Sequence, residues 1–270
     1  KFSTFAQGAT QISIAIAGED VVGAFMVAPI NIKIGAEVVL GGVAMDVMSH
    51  PRYVGTTVFV DAGKHCTENA RKRGYRVLYG FPNSKSLPGF IKRLNWDHTG
   101  DIVHWVRPIK PSIYPKVPTI FGPFADFAAK LLPARKTGDY GVKIGIPSEQ
   151  ELLLLLKSKH RFNKQCLIHR DQNWFYSRYL NKVYSHYEWI SVYREGKILA
   201  LGVWGMRNKR WGNEFASRAQ ITEIIGKNSD ALLEVISIII ERAKLKNAML
   251  LETVTNDQYL ERVLKGCSFF

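Results

Sequence analysis

GGVAMDVMSHPRYVGTTVFVDAG, residues 41–63, is where the chain changes its hydrophobic period. Its first half is small and apolar. With the preceding AEVVL it reads as a strand buried on both faces, hence central in a sheet. His50-Pro51 ends that strand. After Arg52-Tyr53-Val54-Gly55-Thr56-Thr57, apolar residues recur at helical spacing, and residues 55–73 read as a helix. RKRG closes it, with cations and Gly74 suited to a helix C-terminus. A helix that starts after a glycine turn exposes unpaired N–H groups and the positive end of its dipole. Such an end binds phosphate without a lysine. Gly55 permits close backbone approach, Thr56 and Thr57 add hydroxyls, and Arg52 adds charge.

Upstream, ATQISIAIA alternates and is β-branched, a strand, and VVGAFMVAPINIKIG is a second strand bent near Pro29. Downstream, YRVLYGFPN is a strand, SKSLPGFIKRL a short helix and DIVHWVRP another strand. Residues 107–147 hold seven of the 11 prolines and read as a connector around a short helix, FADFAAKLL, with VKIGIP as a short strand. From residue 148 the pattern starts over. SEQELLLLLKSKH is a helix with Ser148 and Glu151 as a capping box. RDQNWFYSRYLN is an aromatic helix, and YEWISVYREGKILALGVWGMR a hairpin turning at Glu195-Gly196. EFASRAQITEIIG is a strand, and Ser229 caps the long apolar helix DALLEVISIIIERAKLK. NAMLLETV and NDQYLERVLKG follow as strand and helix. Similar element order in both halves, without shared residues, predicts a duplicated architecture. The expected division is residues 1–106, a connector over 107–147, and 148–270.

With 270 residues the chain suits one large domain or two small ones. No apolar run approaches the ~18–20 residues of a membrane span. The opening KFSTFAQG has neither Met nor a signal-peptide pattern, and the sequence is expected to begin inside a longer native chain. Cys66, Cys166 and Cys267 are far apart and odd in number, with no zinc spacing, and suit reduced thiols in a cytoplasmic protein. The seven histidines form no metal-binding pair, so no metal is expected. The net charge is +14. Residues 1–106 hold 11 basic and 8 acidic side chains, the remainder 26 and 15. Such an excess suits an anionic ligand, a nucleic acid or an anionic surface. Its scatter, without aromatic-interleaved RNA motifs, argues against nucleic acid, and no membrane partner is expected.

The stretch DVMSHPRYVGTTVFVDAGKHCTENARKRGYRVLYGFPNSKSLPGFIKRLNW resembles the GNAT N-acetyltransferase superfamily. In that family a strand leads into R/Q-x-x-G-x-G/A, whose backbone N–H groups hold the acetyl-CoA pyrophosphate. Arg52 and Gly55 match the first and fourth positions, and Thr57 departs at the sixth. The resemblance covers residues 9–106. The second half looks like a degenerate copy, since ITEIIGKNSDA lacks the glycine turn. It implies an α+β protein of two GNAT-like mixed-sheet domains in tandem, with acetyl-CoA as co-substrate in the first. Arg52, Tyr53, Val54, Gly55, Thr56 and Thr57 would hold the pyrophosphate. Val47, Met48 and Ser49 would line the pantetheine and oxyanion, with Asn83 beside them.

The chemistry so implied is direct attack by a primary amine on the thioester, the amine belonging to a small molecule such as an amino sugar. Asp46 and His50 are the candidate bases. Aligning GFIKRLNW with the family's Y-x-x-x-G-F ending puts Phe90 at the position of the acid, so Ser84, Ser86 or water would serve. Trp174, Phe175, Tyr176, Tyr179, Tyr184, Tyr187 and Trp189 suggest packing or a sugar-stacking platform. Two further readings stay open: a Fem-type aminoacyl transferase using charged tRNA, and a non-catalytic protein that kept the fold.

Overall fold

The computed structural model describes residues 10–113, 117–132, 138–157, 166–180, 186–211 and 214–270, with side chains except at 166–167 and 209–216. In chain order the elements begin with β1 (Gln11–Ala17), β2 (Asp20–Ile34), β3 (Glu37–Ser49), α1 (Val58–Lys72), β4 (Val77–Gly80) and α2 (Leu87–Leu94). Then come β5 (His104–Pro108), α3 (Gly122–Leu131), β6 (Gly141–Ile144), α4 (Glu149–Leu156), β7 (Cys166–Ile168) and α5 (Gln172–Tyr179). The chain closes with β8 (Tyr187–Arg194), β9 (Lys197–Trp211), β10 (Glu214–Gly226), α6 (Ser229–Leu245), β11 (Leu250–Val254) and α7 (Gln258–Gly266).

Two compact units result: residues 1–100 with 161–181, and 101–160 with 182–270. These units interleave, where the sequence reading divides the chain in order. Strand β5, placed by sequence in the first half, pairs antiparallel with β11 in the second sheet. Strand β7 pairs with β2 over Ile32–Ile34, beyond the end of the β1 ladder at Val27. Both strands fill an edge whose backbone groups need partners, a demand that sequence order does not record.

The first sheet runs β1-β2-β3-β4, antiparallel except for the parallel pair β3–β4. Strand β3 is central, as its apolar run predicts. Pro29 does not interrupt β2. It pairs across from Gly42 and lies past the last β1 partner, so its missing N–H costs no β1 bond. Helices α1 and α2 cover one face. Phe25, Val27, Ala62, Cys66, Ala70, Tyr75 and Phe90 form the buried core there. Aromatic rings of Phe25, Phe59, Phe90 and Trp96 meet at 5.0 to 6.1 Å. Ser13 Oγ lies 2.9 Å from His65 Nδ1, joining β1 to α1. Burial pushes the Cys66 thiol above its ordinary pKa, so it stays protonated as a small apolar group.

The second sheet runs β5-β11-β10-β9-β8-β6, with β10–β11 the parallel pair. Helix α6 packs on it through Ala231, Leu232, Val235, Ile236, Ile239, Ile240 and Ala243, all fully buried. The hairpin turns at Glu195 and Gly196, both at positive φ. The capping box at Ser148 and Glu151 is present. The cap of α6 is Asn228, one residue earlier than the expected Ser229. The series β1-β2-β3-α1-β4-α2 is repeated as β8-β9-β10-α6-β11-α7, with the same strand order and the same parallel last pair. The protein is therefore an α+β tandem of two mixed sheets.

Candidate functional site

Strand β3 is paired with β4 only from Gly41 to Ala44. From Met45 onward its β4-side edge has no strand partner among the described residues. On the other side, the register with β2 slips between Met26↔Met45 and Ala24↔Met48, so Asp46 and Val47 together oppose Phe25. Asp46 takes up the bulge at φ 48 and is exposed. A bulge of this kind bends the strand and leaves backbone groups outside the ladder. Val47, Met48 and Ser49 continue along this open edge.

After Ser49, His50 N–H is held by Val22 O at 2.8 Å. The imidazole Nδ1 accepts from Arg52 N–H at 3.3 Å and caps a 3-10 turn over Pro51–Tyr53. In the neutral ring that bond places the proton on Nε2. Gly55 follows at φ 88, with open space where a side chain would begin. The extra turn is why α1 starts at Val58, three residues later than the period predicts. Thr56 is spent locally: its hydroxyl donates to Tyr53 O at 2.7 Å, and its N–H to the same oxygen at 3.2 Å.

Thr57 stands at the N-cap of α1 and makes no side-chain cap bond. Its helical backbone angles (φ −79, ψ −11) are wrong for one. Val58 N–H reaches Thr56 Oγ1 and Asp61 N–H reaches Thr57 O, while the amides of Gly55, Thr57, Phe59 and Val60 have no acceptor among the described residues. Arg52 is exposed beside them, and Asp61 is the one acid in the first turn. Arg93, from the last turn of α2, donates to Thr56 O at 3.4 Å and brings a second guanidinium to the junction. Nothing in the sequence pattern marks Arg93, because its role comes from how α2 lies beside α1.

The other candidates gather one turn before α2. Asn83 Oδ1 accepts from Lys85 N–H and Ser86 N–H, each at 3.0 Å, and lies 3.2 Å from Ser86 Oγ. Asn83 therefore shapes this turn, and the Ser86 hydroxyl has its proton engaged there. Ser84 sits in the same turn. The end of α2 offers a second alignment with the family's tyrosine. Asn95 holds the left-handed conformation (φ 56) that ends α2, the place of the glycine in Y-x-x-x-G-F. Four residues earlier is Ile91, whereas Phe90 is buried in the core. Neither residue donates a proton.

The aromatic set divides between the two units. Trp174, Phe175 and Tyr179 pack together in the first unit, with Arg170 and Arg178 each 5.3 Å from the centre of the Trp174 ring. Tyr176 sits on the same helix, α5. Tyr187 and Trp189 belong to β8 in the second unit, and Tyr184 lies outside the described residues. Among the described residues no group of three His, Cys, Asp or Glu side chains gathers as metal ligands would. No helix among them is long and apolar enough to cross a membrane.

Residues 4–99 match the Acetyltransferase (GNAT) domain family. No curated protein matches the chain in sequence. Among solved structures, the chain is similar to Saccharomyces cerevisiae N-myristoyltransferase with bound myristoyl-CoA, at 12% identity and a TM-score of 0.63. That match covers 91% of this chain and 64% of the yeast protein. An Enterococcus faecalis protein described as a probable N-acyltransferase aligns at 14% identity and TM-score 0.58, covering 91% and 54%. A GCN5-related N-acetyltransferase from Anabaena variabilis aligns at 10% and 0.59, covering 92% and 56%. The chain thus spans from just over half to under two thirds of the length of these structures. Together with the repeated topology, these likenesses show a tandem of two GNAT-type folds, of which the first, over residues 4–99, matches the Acetyltransferase (GNAT) domain family.

Proposed function

We propose that the protein is a cytoplasmic acyl-CoA-dependent N-acyltransferase, using acetyl-CoA to acylate the primary amine of a small molecule. One observation carries the reading: a cluster of amides at the start of α1, next to an edge of β3, that have no partners among the described residues. The amides of Gly55, Thr57, Phe59 and Val60 would hold the pyrophosphate, with the helix dipole behind them. Arg52 and Arg93 would add charge at its rim. The open edge from Met45 to Ser49 would pair with the pantetheine amides as a further strand would. Tyr53 and Val54 would flank the chain where it passes the turn.

Acyl-CoA supplies an acyl group activated as a thioester. At the bulge, an N–H of Val47 or Met48 would meet the oxyanion as the amine adds to the carbonyl carbon. Collapse breaks the C–S bond and releases CoA thiolate. The ammonium proton passes to Asp46 or to water, and the thiolate takes a proton from solvent. Asp46 suits the base because it sits exposed at the bulge itself. His50 suits it less, because its free lone pair is already engaged by Arg52 N–H. With Ile91 and Phe90 apolar and Ser86 tied to Asn83, catalysis would rest on holding the two reactants together.

The test follows thiol release from acetyl-CoA, with a disulfide reagent, against a panel of primary amines, amino sugars included. Amine-dependent release by the parent and its loss in Asp46→Asn support the reading. A folded parent that neither binds acetyl-CoA in native mass spectra nor releases thiol with any amine overturns it. A parallel series from acetyl to myristoyl-CoA assigns the acyl length.

A further inference from the structure

Helix α3 has its apolar face outside. Ile120, Phe121, Phe124, Phe127 and Leu131 recur at steps of one, three, three and four residues, one side of a helix and the turn that leads into it. These five side chains are 60 to 82% exposed. The opposite side is anchored. Gly122 and Ala129 are buried, and Asp126 accepts from Ser112 N–H at 2.8 Å and from the Ser112 hydroxyl at 2.7 Å. The single acid of the helix is thereby turned away from the apolar face. An exposed stripe of large apolar side chains held in this way marks a docking surface.

The charge of the sequence flanking α3 selects the occupant. Between residues 110 and 136 the sequence holds five basic side chains (Lys110, Lys116, Lys130, Arg135 and Lys136) against one acid, Asp126. Lys110 and Lys130 are exposed. Aromatic and aliphatic residues on one face with lysines at the rim suit a helix lying flat in the headgroup layer of an anionic bilayer. A second copy would bring two basic rims of the same sign together, which opposes self-association. We propose that α3 docks the protein on an anionic lipid surface. At ten residues the helix is too short to span a bilayer, so the contact is peripheral. This amends the sequence expectation of no membrane partner and is independent of the acyl-transfer reading.

The experiment is flotation of the full chain with phosphatidylcholine vesicles, with and without 30% phosphatidylglycerol, at low and high salt. The proposal expects binding to the anionic vesicles, at least tenfold weaker in 0.5 M salt. Phe124→Glu/Phe127→Glu, at exposed positions, should fold normally by circular dichroism and bind at least tenfold more weakly. Lys130→Glu should weaken binding less. No binding to anionic vesicles overturns the proposal. So does equal binding to pure phosphatidylcholine, or unchanged binding by the double variant. A light-scattering result in which the parent is a dimer and the double variant a monomer, with neither floating, assigns the face to a second copy instead.

Discussion

The two strand-to-helix junctions of this protein stand at equivalent places in the repeated topology and end differently. In both, the parallel pair stops two residues before a bulge: Ala44↔Gly80 before Asp46, and Gln220↔Glu252 before Thr222. In the first unit no described residue fills the gap that follows. In the second, Thr253 donates its hydroxyl to Ile221 O at 3.1 Å, and Thr222 donates to Val203 O at 3.1 Å. The connections differ as well. Eight residues separate β3 from α1, with Gly55 left-handed among them, and two separate β10 from α6. Asn228 Oδ1 accepts from Ala231 N–H at 2.8 Å, and Leu232 N–H reaches Asn228 O. The second junction therefore carries a side-chain cap, as an ordinary capped helix does, where Thr57 makes none in the first. In the proposed reading, the amides left without acceptors in the first junction would meet a ligand. A duplicated fold can keep its architecture while one copy loses the site, because the architecture rests on buried apolar faces and the site on a few backbone groups.

The sharpest way to break this contrast is to give the first junction the chemistry of the second. Thr57→Asp places a carboxylate at the start of α1, where its charge repels a pyrophosphate. Acetyl-CoA affinity should fall by about 2–3 kcal/mol, the scale of charge-assisted hydrogen bonds lost together, with thermal stability unchanged or slightly raised. Calorimetry with parallel melting curves reads both. Unchanged affinity would place the cofactor elsewhere.

The converse change is smaller and acts on another quantity. Asn228→Ala removes the cap of α6 and should lower stability by about 1 kcal/mol in denaturant titration, leaving acetyl-CoA affinity unchanged. A loss of binding would show that the second junction takes part. Smaller still, Arg52→Ala and Arg93→Ala should each weaken binding by under about 1 kcal/mol at physiological salt, because both are solvent-screened. Should either exceed the effect of Thr57→Asp, side-chain charge rather than backbone does the holding.

Much of this organisation is legible in the sequence. The apolar run ending at Ser49, the Pro and Gly punctuation, and helical spacing from Val58 give the strand, turn and helix in order, and the capping box at Ser148 gives the start of α4. What the sequence does not carry is long-range. The partner of β5 lies more than 140 residues away in β11, and β7 returns to β2 across a similar span. Local pattern has no term for either pairing. The bulge at Asp46 and the donation from Arg93 are likewise products of register and packing. Asn95 serves as the left-handed end of α2 where glycine is the usual residue, so no glycine marks that helix end in the sequence.

Gly55 carries the central claim, because its φ of 88 and the open space at its missing side chain would let a ligand approach the amides. The decisive measurement is calorimetric titration of acetyl-CoA into the parent and into Gly55→Val, with folding of both verified by circular dichroism. The account predicts micromolar binding by the parent and a loss of about 1–3 kcal/mol in the variant. A folded Gly55→Val that binds acetyl-CoA as tightly as the parent would contradict it and leave the junction as a turn and nothing more.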